Sequence, residues 1–137
     1  MPIMDTALAR LVWQRAKGRC EYCQLPQVCD DRPFEIDHIL SRKHHGPTVA
    51  GNLALSCFRC NSFKGSDIGG RDAATRKLTP LFNPRRHKWV THFRWQGAYL
   101  IGRTPVGRVT VTLLHINDTL RVELREELIA EGVFPPA

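Results

Sequence analysis

Cys20-Glu21-Tyr22-Cys23 opens and Cys57-Phe58-Arg59-Cys60-Asn61-Ser62-Phe63-Lys64 closes a segment that carries Ile36-Asp37-His38-Ile39 and Asn52-Leu53 between its ends. Each Cys-x-x-Cys pair can turn both sulfurs toward one ion at about 2.3 Å, and two pairs complete a tetrahedron. Cys20, Cys23, Cys57 and Cys60 are therefore expected to hold a structural Zn²⁺. Four thiolates leave that ion no open position for a substrate. The competing reading is four unrelated buried thiols. The 33 residues between the pairs exceed the spacing of an ordinary zinc ribbon, so a substantial element must loop out from the metal. Cys29 is left over, and reads as a small buried or loop thiol.

Within the loop, Phe34 to Ile39 has strand composition, but its parity breaks: Phe34 and Ile36 share a face that Ile39 leaves. A bulge or a strand end near Asp37-His38 accounts for the break. Ser41 to Gly51 is a basic loop with Arg42, Lys43, His44 and His45 in a row. Asn52 to Ser56 suits a short second strand, and Cys57 or Phe58 to Lys64 a short helix stopped by Gly65. Asn61 and Lys64 lie one turn apart on that helix, so Lys64 is a candidate phosphate contact, set against a solvated lysine. Arg42 and Lys43 are candidate contacts to a nucleic-acid backbone, set against an exposed charge run.

Outward from this segment, Met4 to Lys17 reads as a helix with Leu8, Leu11, Val12 and Ala16 on one stripe. Ser66 to Lys77 is polar. Trp89 to Trp95 alternates as a strand, answered by Tyr99-Leu100-Ile101 across Gln96-Gly97. Trp89, Phe93 and Trp95 are expected to pack inward rather than stack on bases. Thr104-Pro105 starts a helix with Val106, Val109, Leu113 and Leu114 inward, and a last helix, from about Asp118 to Glu131, relies on Leu120, Leu124, Leu128 and Ile129. The chain is expected to be one small α+β domain over 1–137. It would have a zinc-stapled core at 1–68 and a hairpin–helix extension at 81–137.

The chain has 137 residues and a formal charge of +7, which four thiolates and one Zn²⁺ lower to about +5. That balance favours a polyanionic partner. Three Trp, six Phe and regular aliphatic spacing exclude a disordered tail, and an odd five Cys argues against a disulfide scaffold. No apolar run approaches the roughly 20 residues of a membrane span. Met1-Pro2-Ile3-Met4-Asp5-Thr6 lacks a signal peptide's basic and apolar regions, so a cytoplasmic protein with reduced thiols is expected.

Asp37-His38, then Asn52, then Asn61 directly after the last Cys, nested between two thiol pairs, resembles the HNH endonuclease family. The likeness is to its branch with a zinc-bracketed ββα-metal motif, and it extends from about Val12 to Gly65. The resemblance implies His38 as general base, and Asp37 and Asn61 as ligands of a catalytic Mg²⁺ or Mn²⁺. It implies Asn52 as the residue that supports the geometry of the motif. The last motif position, His in many members, is Asn61 here. The implied activity is metal-dependent cleavage of DNA, with RNA left open, at low sequence specificity and with 5′-phosphate products. A tail of the form Arg-His-Lys-Trp…His-Phe-x-Trp, then Thr-Pro-x-Gly-Arg, accompanies this branch without an assigned chemistry. The alternatives are a non-catalytic zinc-ribbon nucleic-acid-binding module, and a regulatory subunit whose basic surface meets an acidic protein.

Overall fold

The computed structural model describes residues 4–136. Met1 to Ile3, read above for a targeting signal, lie outside the described residues. The chain is α+β and divides into two compact units, one up to Ser66 and one from Asp67 onward.

In the first unit, helix α1 (Thr6–Ala16) is capped by Asp5, whose carboxylate accepts the Ala7 amide at 2.9 Å. It ends on Lys17 at φ +56°, followed by the expected Gly18, also at positive φ (+68°). Val12 is fully buried, whereas Leu11, expected on the inner stripe, is 44% exposed. Arg15, not read as an inner residue, shares the packed face: its guanidinium donates to the carbonyls of Ala50 (2.9 Å) and Leu53 (2.7 Å). Strand β1 (Glu35–His38) pairs antiparallel with β2 (Leu53–Ser56), with Glu35 opposite Ser56 and His38 opposite Leu53. The register is unbroken through Asp37, so the parity change reflects the strand ending at His38 and not a bulge. All four residues of β2 are buried, with α1 packed on the strand. Helix α2 (Phe58–Lys64) follows at once, with Cys57 as its cap and Gly65 as its stop.

In the second unit the polar segment after Ser66 contains a hairpin that its composition hides. Strand β3 (Gly69–Arg71) pairs with β4 (Leu78–Pro80). Gly69 permits it, because a Cβ there would run into the Thr79 carbonyl. The expected strand over Trp89 to Trp95 is corrected: Trp89–His92 is a helical turn, α3, and only Phe93–Gln96 is strand β5. The turn brings Trp89 and Phe93, four residues apart, to a ring separation of 5.2 Å, and places His92 against Phe82. Strand β6 (Tyr99–Gly102) closes the expected hairpin around Gly97 at φ +58°.

Helix α4 (Pro105–Leu113) starts as read, with the Thr104 hydroxyl accepting the Gly107 amide at 3.1 Å. Helix α5 (Thr119–Ala130) buries Arg121, Val122, Arg125 and Leu128, while Leu120 is exposed. Leu128 is inward as expected and Leu124 and Ile129 are half-buried; Arg125 shares the inner face because its guanidinium caps the carbonyls of Ala98 and Ile116, each at 2.8 Å. Among the described residues no helix is long and apolar enough to cross a membrane.

Candidate metal centre and adjoining polar cluster

Two tight turns carry the sulfurs. In the first, Cys20 donates its amide to the Leu25 carbonyl and accepts the Gln24 amide on its own carbonyl, both at 2.9 Å, with Gln24 at φ +66°. In the second, the amide of Cys60 points at Cys57 Sγ, 3.4 Å away, just as the Cys23 amide points at Cys20 Sγ at 3.5 Å. The four Sγ atoms lie within 4.8 Å of one another, all buried, and Cys23 and Cys57 are 3.7 Å apart. Zn–S bonds of 2.3 Å arranged tetrahedrally place sulfurs about 3.8 Å apart. The quartet is therefore positioned for zinc. Burial, followed by the hydrogen bond with Cys23, pushes the Cys20 thiol well up, so bare thiolates are disfavoured there. A divalent cation at the centre replaces those protons. Cys29 is half-buried outside the quartet.

The zinc turns also carry the neighbouring polar groups. Tyr22, fully buried between Cys20 and Cys23, donates its hydroxyl to Asp37 Oδ2 at 2.9 Å. Lys64, at the far end of α2, is also buried. Its Nζ lies 3.1 Å from Asp37 Oδ2 and 3.3 Å from Oδ1, and donates to the His38 carbonyl at 3.1 Å. A solvated lysine is thereby ruled out. Burial pushes the Asp37 carboxyl up, and the Lys64 ammonium opposes that shift. Asn61, next to Cys60, donates Nδ2 to Glu35 Oε2 at 2.9 Å. Glu35 and Asp37 alternate with Ile36 and so share one face of β1.

His38 has different surroundings. Its Nε2 is 2.8 Å from Thr48 Oγ1, and Arg42 Nη1 donates to the same oxygen at 2.9 Å. Burial first, and the Arg42 charge second, lower the imidazole's affinity for a proton. The neutral form thus predominates at neutral pH. Asn52 ties the basic loop shut: Oδ1 accepts the Leu40 amide at 2.9 Å, and Nδ2 donates to the carbonyls of Leu40 (3.0 Å) and Pro47 (2.9 Å). Lys43, in the turn Arg42–His44, is exposed.

The structure thus joins Asp37 to Lys64, and His38 to Arg42 through Thr48, while Asn61 is held by Glu35. No hydrogen bond links Asp37, His38 and Asn61 directly. Tyr22, Glu35 and Thr48 were not singled out from the sequence. The position of Tyr22 between two metal-binding thiols, and of Glu35 two residues before Asp37, were the signals available. Thr48 carried none.

A thiol turn, a two-stranded hairpin and a helix that begins on the second thiol pair thus follow one another in the first unit. Residues 20–67 match the HNH endonuclease family model. The matched segment covers the thiol quartet, β1, β2 and α2. The Septu protein PtuB of Bacillus thuringiensis is 27% identical over 118 residues, which is 85% of this chain and 43% of that protein. Tryptophan decarboxylase TDC1 of Camptotheca acuminata is 32% identical over 80 residues, 58% of this chain but 14% of that protein. The chain thus spans less than half the length of these curated relatives. No solved structure matches the chain.

Proposed function

We propose that the HNH segment is a metal-dependent endonuclease that hydrolyses DNA phosphodiester bonds with little sequence preference. One observation carries the reading: the zinc turn itself delivers the Tyr22 hydroxyl to Asp37, so the staple and the acidic residue of the motif form one construction. In this reading His38, neutral at cellular pH, takes a proton from water as that water's oxygen bonds to phosphorus. The bond to the 3′ oxygen breaks, the leaving oxygen acquires a proton from solvent, and the products carry 5′-phosphate and 3′-hydroxyl ends.

Asp37 and Asn61 would hold a divalent ion. Asn61 commits only Nδ2 to Glu35, which leaves the lone pairs of its Oδ1 to ligate a cation, and a carboxylate has about four lone-pair sites. These hard oxygens suit Mg²⁺ or Mn²⁺. When bound, such an ion supplies positive charge beside the developing phosphorane. Arg42 and Lys43, on the exposed basic turn, would contact the nucleic-acid backbone. Lys64 would act on the phosphate only after leaving Asp37; while paired, it neutralises that carboxylate.

The pairing of Lys64 with both oxygens of Asp37 favours a second reading, a zinc-stapled nucleic-acid-binding module without catalysis. Supercoiled plasmid incubated with purified protein and Mg²⁺ or Mn²⁺ separates the two. The nuclease reading expects nicking that EDTA stops and that falls by a factor of about 10² or more in His38→Ala. Salt-sensitive binding with no cleavage under any divalent ion establishes the module instead.

A further inference from the structure

We infer that Thr48 is a positioning residue for His38, holding Nε2 so that Nδ1 is the nitrogen that accepts the proton. The inference rests on the nuclease reading and assigns the atom that the reading leaves open. A threonine hydroxyl has two lone pairs and one hydrogen. Arg42 Nη1 can only donate, so it takes one lone pair of Oγ1. At 2.8 Å, His38 Nε2 has two ways to complete the contact. It donates its own proton to the second lone pair, or it accepts the hydroxyl hydrogen. In the first arrangement the unprotonated nitrogen is Nδ1, free of Thr48. In the second, Nδ1 carries a proton and both nitrogens are already committed, so the ring has no lone pair to offer water. Only the first serves a base. It also requires no rearrangement, since a proton arriving at Nδ1 leaves the Nε2–H bond to Oγ1 in place.

The rest of the loop is built to hold Thr48 still. The Asn52 carboxamide clamps Leu40 and Pro47, the residue before Thr48, and Gly46 is buried where a Cβ would run into the Leu40 carbonyl. Thr48 and Arg42 also line an open cleft of about 560 Å³ with Leu8, His45 and Pro47. The loop that carries Thr48 and Arg42 therefore borders a surface that a nucleic-acid strand can reach. Asn52 acts on His38 through this loop and not by direct contact.

Long-range ¹⁵N–¹H spectra of the zinc-loaded chain at pH 8, with His38 assigned by comparison with His38→Gln, read the tautomer without any cleavage. The Nε2–H form is expected in the wild type, and a mixture of forms in Thr48→Val. In the plasmid assay Thr48→Val should lower kcat about tenfold or more at nearly unchanged KM, and Thr48→Ser should restore it to within about threefold of wild type. A wild-type Nδ1–H tautomer, or a Thr48→Val protein as active as wild type, overturns the assignment while nicking by the wild type keeps the nuclease reading. A wild type that never nicks, with its tautomer as expected, instead overturns the nuclease reading and the base role with it. Should Thr48→Val not fold, Thr48→Ala replaces it, and the wild-type spectrum alone still decides the tautomer.

Discussion

Lys64 shows at the scale of one residue how a charge changes meaning when buried. Its helical spacing from Asn61 is legible in the sequence, but the spacing cannot tell a solvated ammonium from one enclosed beside a carboxylate. The side chains of Lys64 and Asp37 retain 1% and 6% of their surface. Removing one member of such a pair leaves the other charged and dry, which typically costs about 3–5 kcal/mol. Lys64→Met should therefore lower the denaturant midpoint of the first unit by that order. Asp37→Asn with Lys64→Met should cost less than Lys64→Met alone, because no unpaired carboxylate remains. Equal losses in the single and double variants would show that the pairing is not what stabilises this end of α2.

Individual elements of the second unit depend on ion pairs and imidazoles that periodicity does not report. Asp72, just after β3, receives Arg108 Nε and Nη2 from α4, each at 3.0 Å, together with the Thr75 amide at 2.9 Å. The Arg108 hydrogen bonds hold its carboxyl well below the usual carboxylate range. The stabilisation is complete above the unfolded value, near 4, and is lost as pH falls toward the folded value. His92, on α3, is lowered by burial and then by His87, whose ring lies 4.9 Å away. It folds neutral, so stability also declines once pH falls below the unfolded imidazole value of about 6.5. Denaturation followed through Trp89 and Trp95 should then weaken in two stages on acidification. Asp72→Asn should flatten the lower stage and His92→Gln the upper. A midpoint independent of pH from 7.5 to about 4.5 would contradict the His92 assignment, and one that stays flat below about pH 4 would contradict the Asp72 assignment.

For the molecule as a whole, zinc is expected to govern whether the segment 20–67 exists as a folded object. Structural zinc sites in small domains contribute on the order of 10 kcal/mol. Metal analysis should find about one zinc per chain in the wild type and in His38→Ala alike, since the quartet is separate from the imidazole. Cys60→Ser, or a strong chelator, should remove the ion and abolish amide-exchange protection in β1, β2 and α2. Retention of that protection without zinc would make the quartet dispensable.

Much of this was readable beforehand, because local chemistry alone dictates it. Two Cys-x-x-Cys turns bring sulfurs together whatever surrounds them, Thr104-Pro105 starts a helix, and alternating β-branched and aromatic residues around Gly97 make a hairpin. The parity break after Ile36 likewise pointed to a bulge or a strand end near Asp37-His38, and the unbroken register makes it the end. Other features could only come from the packed chain. Arg15 and Arg125 are inward-facing because distant carbonyls need donors, Tyr22 belongs to the site because the zinc turn abuts Asp37, and Thr48 matters because Asn52 folds a loop back onto His38. Sequence determines what depends on neighbours along the chain; partners 15, 27 and 38 residues apart are chosen by burial, where every polar group must find a match.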